Sequence, residues 1–338
     1  MNSNFLISIC IPSYNRPQEL NRLLNSIENV KKKLVQIVIC EDNAPKRNEI
    51  RSVIEKFKNN SRYSLKYCEN IKNLGHGGNF RECIKQADGE FIVFMGDDDM
   101  FIPGKIDDYC NFIKNNLHCG YILRSSRQLL NDGKYEYFRY YSSNRIFEPG
   151  LQSYTELFLK SVFMSGFTIK RSLVVDIKES SLDNTLLFQL YLLAEICLNY
   201  PSAYYNTPIV QGVGDGVSFF GTNEKEKDLY TPGLMVTNNI NFLKGFLKIT
   251  NFVDNKYKFN STKIIKTHMS KYSFPLMSME RTFGRKNFIK HCKNLKKMGL
   301  GTTVYFYLYF FGLLFFGEKF CRNLILVIKN ILGRRVRL

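Results

Sequence analysis

The chain has 338 residues, 44% of them hydrophobic and 14% aromatic, which supports a large buried core and excludes a generally disordered protein. Nine cysteines lie scattered without a CxxC pair, several inside apolar runs such as ISICIP and QIVICED. This points to buried, reduced thiols in a cytosolic setting and away from a disulfide framework or a zinc site. The net charge of +18 is unevenly placed: residues 256–338 hold 18 Lys and Arg against 2 Asp and Glu, whereas the first 255 residues hold 30 against 28.

The opening MNSNFLISICIPSYNR lacks the basic start and long apolar stretch of a signal peptide and reads as a strand over Phe5–Pro12. A helix follows in PQELNRLLNSIENV, with Leu20, Leu23, Leu24 and Ile27 at helical spacing and Pro17 in its first turn. Then come strand LVQIVICED, helix RNEIRSVIEKFKN, a short strand near LKYCEN, helix GGNFRECIKQA and strand EFIVFMG. Strands alternating with helices predict a mostly parallel sheet flanked by helices, whose ligands bind beyond the carboxyl ends of the strands. Three polar clusters follow predicted strands there: Ser13–Arg16, Glu41–Ala44 and Gly96–Asp99.

After Ile122 the pattern is mixed. YEYFRYY suggests an edge strand, SYTELFLKSVF and LLFQLYLLAEICLNY suggest helices, and GVGDGVS (Gly212–Ser218) a glycine-rich loop. Residues 224–297 read as helical and increasingly basic. Met298–Gly317 is a run of 20 residues without a charge, just long enough to cross a bilayer. Its flanks are both basic: Lys290, Lys293, Lys296 and Lys297 before it, and Lys319, Arg322, Lys329, Arg334, Arg335 and Arg337 after it. A single crossing would export one positive cluster against the positive-inside tendency. The run therefore reads as lying in the cytoplasmic leaflet, with CRNLILVIKNILGRRVRL an amphipathic helix on anionic lipid. The competing readings are a true span and a packing helix with a solvated basic tail.

The run FIVFMGDDDMFIPGK takes a buried strand straight into three aspartates, which repel one another and raise each other's pKa values. A hard divalent cation, Mg²⁺ or Mn²⁺, bridging to a diphosphate would relieve them. So would the N–H groups of a helix start, and Pro103 marks one nearby. Asp42 in EDNA suits a base N–H or a ribose hydroxyl, or an ordinary turn. PSYNR suits a nucleotide beside Arg16, or a turn into the Pro17 helix.

In that order and spacing, ISICIPSYNRPQELNRLLNSI, QIVICEDNA and ENIKNLGHGGNFRECIKQADGEFIVFMGDDDMFIPGK resemble the nucleotide-sugar-binding half of family 2 glycosyltransferases with the Rossmann-like GT-A fold. The likeness covers residues 5–125 and is nearest to the abequosyltransferase-like members that add sugars to O-antigen units. It implies that Pro12, Tyr14 and Arg16 line the base and diphosphate, that Asp42 meets the base, and that Asn73 and Gly75 (with Asn79, the N-x-G-x-x-x-N segment) belong to the donor site. Asp97–Asp99 take the place of the metal signature, but Gly96 stands where its first aspartate would be. Asp98 then becomes the metal ligand, Asp97 the ribose contact, and Asp99 shares the cation or shapes the loop.

An inverting transferase also needs a carboxylate that deprotonates the acceptor hydroxyl. Asp183 is the candidate, with Glu179 and Glu195 behind it, and its competing reading is an N-cap for a helix starting at Asn184 or Thr185. Asp215 is a candidate donor-loop residue or a glycine-turn aspartate. His76 reads as structural, and His268 and His291 as surface residues.

The resemblance implies transfer of a sugar from a CDP-, UDP- or dTDP-linked donor to a lipid-linked saccharide, with Mn²⁺ or Mg²⁺, at the cytoplasmic face of the inner membrane. Binding of nucleic acid through the basic residues 256–288 is the minor alternative and is not expected. A nucleotidyltransferase or a nucleotide-binding scaffold of related fold is the other. The expected organisation is a catalytic domain over 1–220, divided at 125 into donor and acceptor halves, a basic helical region over 221–297 and a membrane-associating segment over 298–338.

Overall fold

A computed structural model describes residues 5–27, 34–61, 63–130, 132–215, 219, 226–227, 230 and 235–331, with the side chains of 235–238, 326 and 329–331 left aside. The chain divides into two compact units, Met1–Gly233 and Leu234–Leu338.

The first unit opens with β1 (Ile7–Ser13), α1 (Pro17–Asn25), β2 (Val35–Glu41), α2 (Arg47–Asn60), β3 (Ser64–Glu69), α3 (Gly75–Gln86) and β4 (Phe91–Phe94), as the alternation predicts. It continues with β5 (Met100–Phe101), α4 (Lys105–Lys114), β6 (Tyr121–Leu129), β7 (Tyr135–Phe138), β8 (Arg145–Phe147), α5 (Leu151–Phe158), β9 (Phe167–Lys170), α6 (Phe188–Asn199) and β10 (Ser202–Gly212). One ten-stranded sheet results, ordered β3-β2-β1-β4-β9-β6-β10-β5, with β7 beside β6 and β8 beside β10. The β3, β2, β1 and β4 strands are mutually parallel, as are β6 and β10. β9, β5, β7 and β8 run antiparallel to their neighbours.

The period of two along each strand sorts the two faces. Ile7, Ile9 and Ile11 share one core with Ile37 and Ile39 of β2, Leu20 and Leu24 of α1, and Ile50 of α2. On the other face Phe80 of α3 stacks on Phe94 and meets Phe188 of α6 edge-on, with centroids 6.1 Å apart in the second pair. Helices thus cover both faces, which suits a parallel sheet built from continuous apolar runs.

β10 was not legible because Pro208 argues against a strand interior. The register shifts on either side of Pro208, so the proline sits in a bulge where no ladder N–H is needed. The helix expected from Asn184 or Thr185 begins instead at Phe188. Asp183–Thr185 is a short 3-10 turn, and Leu186 behind it adopts a left-handed conformation (φ 57°) that interrupts the helix.

The second unit is helical: α7 (Met235–Tyr257), α8 (Ser261–Lys271), α9 (Phe274–Thr282), α10 (Arg285–Lys297) and α11 (Val304–Ile331). His291 is buried, contrary to the surface position expected of it, and its Nδ1 lies 3.4 Å from Oε1 of the equally buried Glu280. The helical period turns its side of α10 inward with Phe288, Cys292 and Leu295. Burial lowers His291 to about 4 and raises Glu280, pushing each toward its neutral form. All nine cysteines are free, and eight are buried.

Candidate active site

The three polar clusters meet at the carboxyl ends of β1, β2 and β4. Ser13 pairs in register with Glu41, so the loops after β1 and β2 leave the sheet side by side. Each turns through an asparagine with positive φ, Asn15 at 60° and Asn43 at 55°, a conformation that asparagine tolerates better than most residues. The Lys46 N–H donates to Asn15 Oδ1 (3.2 Å), joining the two loops.

The triplet lies between β4 and β5, two strands of the same sheet, and Asp99 N–H closes the turn onto Gly96 O (3.2 Å). Asp97 is buried and accepts from the Tyr14 N–H at 2.9 Å and from Arg16 Nη1 at 2.7 Å. Arg16 Nη2 stands 3.3 Å from Asp98 Oδ2, so one guanidinium bridges two of the three carboxylates. Asp99 is buried and accepts from Ser165 Oγ, which in turn accepts from the Gly96 N–H (3.0 Å). Burial, with the neighbouring Asp98 charge adding to it, pushes Asp97 up to about 6 and Asp99 up to about 7, while Arg16 pulls Asp97 the other way. Pro12 is half-buried in the last turn of β1, opposite Cys40.

Asp98 is the partly exposed member of the triplet, its side chain 30% accessible. A Cβ at Gly96 would stand 3.0 Å from Asp98 Oδ1, so glycine leaves the space beside that carboxylate open. Arg16 already places a cation against Asp97 and Asp98. No cluster of three or more His, Cys, Asp or Glu side chains able to hold a metal occurs among the described residues. A divalent ion here would find one partly exposed carboxylate, Asp98, and would need phosphate and water for its remaining positions.

Arg22 of α1 was not anticipated. It donates to the Asp98 carbonyl (2.6 Å) and grips Asp215 with two bonds, at 2.6 and 2.9 Å. That pairing holds the Asp215 carboxyl below its usual range and anchors the segment after β10 beside the triplet. Phe219 meets Tyr14 edge-on at 5.6 Å, with the Arg16 guanidinium 5.3 Å from its ring. Of the glycine-rich loop, residues 216–218 lie outside the described residues.

Asp42 is buried and points at the start of α3. Its Oδ1 accepts from the Leu74 N–H and Asn70 Nδ2, both at 2.8 Å, and its Oδ2 from the Gly75 N–H at 3.0 Å. Asn73 Oδ1 shares the Gly75 N–H (2.9 Å), and Asn79 Nδ2 donates to the Cys40 carbonyl (2.9 Å). A carboxylate at a helix N-terminus meets unpaired N–H groups and the positive end of the dipole. Three donors on about four lone-pair sites commit most of Asp42 to holding α3 against β2.

Asp183 does not cap a helix; no side-chain cap bond forms at that turn. Its carboxylate is held by Arg81 of α3, with Nε at 2.8 and 2.9 Å and Nη2 at 2.9 Å. Arg81 also donates to the Ile177 carbonyl (2.7 Å) and to the Glu179 carbonyl, and its guanidinium lies 4.1 Å from the Phe188 ring. Gly77 packs so closely under Asp183 that a Cβ there would stand 2.4 Å from the Asp183 carbonyl oxygen. Asp183 thus shares the first turn of α3 with Asp42. The His76 backbone N–H donates to the buried Glu226 (2.8 Å).

A mostly parallel sheet with helices on both faces, and acidic loops gathered beyond the carboxyl ends of its strands, defines an α/β nucleotide-binding fold of the GT-A type. Residues 8–174 match the family described as Glycosyl transferase family 2, and this part of the chain belongs to it. The abequosyltransferase RfbV of Salmonella typhimurium is 37% identical over 94 residues, 28% of each chain. The GalNAc(5)-diNAcBac-PP-undecaprenol beta-1,3-glucosyltransferase of Campylobacter jejuni is 31% identical over 101 residues, 30% of this chain and 32% of that one. The chain thus aligns with about a third or less of either relative. The crystal structure of S. aureus TarS 1-349 in complex with UDP superposes with a TM-score of 0.52 at 15% identity, covering 94% of this chain and 91% of that one, and so shares the fold.

Proposed function

We propose that the chain is a metal-dependent, inverting glycosyltransferase that moves a sugar from a nucleoside diphosphate to a hydroxyl of a lipid-linked saccharide in bacterial surface polysaccharide synthesis. The observation that carries this is the meeting of three loops: Tyr14 and Arg16 bonded to Asp97, Asn15 bonded to the loop after Asp42, and a partly exposed Asp98 beside them. Similarity to an abequosyltransferase and to an undecaprenol-linked glucosyltransferase supports the substrate class.

In this reading Pro12, Tyr14 and Asp42 with its Asn73–Gly75 turn frame the base, and Asp97 faces the ribose. Arg16 and Arg22 lie where a diphosphate would be. A cation on Asp98, when bound, neutralises charge that builds on the departing diphosphate. Asp99, tied to Ser165, fixes the turn. Asp183 takes the acceptor proton, oriented by Arg81, and inversion follows from attack on the face opposite the leaving group. Asp215 positions Arg22 at the donor end. The apolar and basic second unit keeps the enzyme at the cytoplasmic face of the membrane, where lipid-linked acceptors sit.

The test is a thermal-shift panel of CDP, UDP, GDP and dTDP with and without Mn²⁺. Stabilisation by at least one nucleotide with Mn²⁺ is expected, and its absence for all four defeats the proposal. Asp98→Asn should lose the Mn²⁺-dependent part and keep the parent melting temperature without ligand. Release of pyrophosphate from a nucleotide substrate would instead mark a nucleotidyltransferase.

A further inference from the structure

We propose that α11 is an in-plane membrane anchor made of two helical pieces, and that its exposed stripe sits among the acyl chains of one anionic leaflet without crossing. This rests on the membrane placement proposed above and adds its geometry. Val304–Ile325 is long and apolar enough to cross a bilayer by length and composition, with 17% of its most apolar window buried. Its backbone is not one helix, however. Gly317 takes φ 81° and ψ 175°, which separates Val304–Phe316 from the part after it. Thirteen residues at about 1.5 Å each reach roughly 20 Å, short of the roughly 30 Å of hydrocarbon. A break at that depth would also leave backbone polar groups facing lipid.

The partners of the first piece give a second reason. Arg281 Nε of α9 donates to the Leu313 carbonyl (2.9 Å), and its Nη2 lies 4.0 Å from where a Cβ on Gly317 would be. A crossing helix would draw that guanidinium toward the bilayer centre, which is costly. The same side of α11 packs on its own unit, with Phe310 on Phe288 and Tyr309 on Phe274, both pairs at 5.5 Å.

The opposite side has no such cover. Leu308, Phe311 and Phe315 before the break, and Phe320, Leu324 and Val327 after it, recur at helical spacing and are 47–67% exposed. A stripe this long is unusual on a soluble surface. Cations stand at its rim: Lys271 Nζ is 5.7 Å from the Tyr305 ring and Lys296 Nζ is 5.8 Å from the Tyr307 ring. Tyrosine with lysine at the edge of an apolar strip is the chemistry of a lipid headgroup boundary, and the excess positive charge of residues 256–338 selects anionic lipid.

The chain contains no tryptophan, so one introduced residue reports alone. Full-length Phe311→Trp, Phe315→Trp, Phe320→Trp and Leu324→Trp variants are mixed with phosphatidylglycerol vesicles carrying bromines at shallow or deep acyl positions. All four should shift to the blue and be quenched most by the shallow bromines, within about twofold of one another, as burial of about 5–10 Å requires. Deep quenching at Phe315→Trp with shallow quenching at Leu324→Trp would mean a crossing and overturn the proposal. No blue shift with any vesicle overturns it as well and assigns the stripe to another occupant, such as a second copy, and a shift equal on uncharged lipid overturns the choice of an anionic leaflet. Nucleotide-induced thermal shifts of the same variants without vesicles report the active-site reading independently.

Discussion

Asp183→Asn separates a reacting carboxylate from an anchoring one, because the amide keeps the size and one acceptor but loses the charge. As an anchor, Asp183 takes three contacts of 2.8–2.9 Å from Arg81, with side chains 23% and 22% exposed. Hydrogen bonds to charged groups contribute about 1.5–3 kcal/mol when well shielded. Partial exposure and the retained amide oxygen reduce the expected loss to about 1–2 kcal/mol, a fall of roughly 2–8 °C in melting temperature for a unit of this size. As a base, its removal costs about 10²–10⁴ in rate, or roughly 3–5 kcal/mol of transition-state stabilisation. The rate loss should therefore exceed the stability loss. The assay is initial-rate sugar transfer to a polyprenyl-diphosphate saccharide, run beside calorimetry and a donor-binding titration. The expected result is a fall in kcat of at least about a hundredfold with donor affinity unchanged. A kcat within about fivefold of the parent, with the melting temperature lowered, would show that Asp183 only ties its turn to α3.

Three further outcomes follow from the same contacts. Arg16→Met leaves Asp97 buried without its cation, raising its pKa further above 6. A raised carboxyl favours the fold most at low pH and loses that contribution as pH rises. The deficit against the parent should thus grow from under about 1 kcal/mol at pH 5 to about 2–3 kcal/mol at pH 8; an equal deficit at both values in calorimetry contradicts the pairing. Gly77→Ala should cost about 1–3 kcal/mol through overpacking, because the intruding Cβ meets Asp183 backbone, whereas Gly78→Ala meets only the Leu74 side chain and should cost less; denaturant midpoints decide the order. Replacing the buried pair with Glu280→Met and His291→Phe together should stabilise the second unit by about 1–4 kcal/mol, and a loss of stability in the double variant would show the pair to be favourable.

Much of the donor half was legible because parallel strands buried on both faces read as unbroken apolar runs, and each run ends in a polar cluster. ISICIP, QIVICE and FIVF became β1, β2 and β4 within a residue or two, and their ends met as the parallel arrangement requires. β6 was hidden because RSSRQL in its second half looks like a loop. Arg124 there is fully buried, its guanidinium spent on the Ser165 and Phe163 carbonyls. Arg16 was legible beside PSYNR, but the other two arginines that organise the site, Arg22 and Arg81, left no local trace. Arg22 reaches Asp215 across 193 residues and Arg81 reaches Asp183 across 102, distances at which no spacing rule operates. Asp183 could be named as a candidate, but its partner could only come from the fold.

The charge balance of the site bears on how a donor would enter it. Asp97, Asp98, Asp99 and Asp215 face Arg16, Arg22 and Arg124, and the first two arginines are already engaged by carboxylates or by the Asp98 carbonyl. A diphosphate arriving alone would meet an acidic turn whose counter-charges are taken, and it would gain little from them. A diphosphate arriving with a divalent ion brings its own neutralisation and asks only one carboxylate, Asp98, of the protein. Nucleotide and Mn²⁺ should therefore bind synergistically, each tightening the other by the same factor. Calorimetric titration of a nucleoside diphosphate at several Mn²⁺ concentrations measures that factor directly. Equal affinity with and without the ion would place the diphosphate on Arg16 and Arg22 alone, with no ion bridging it to Asp98.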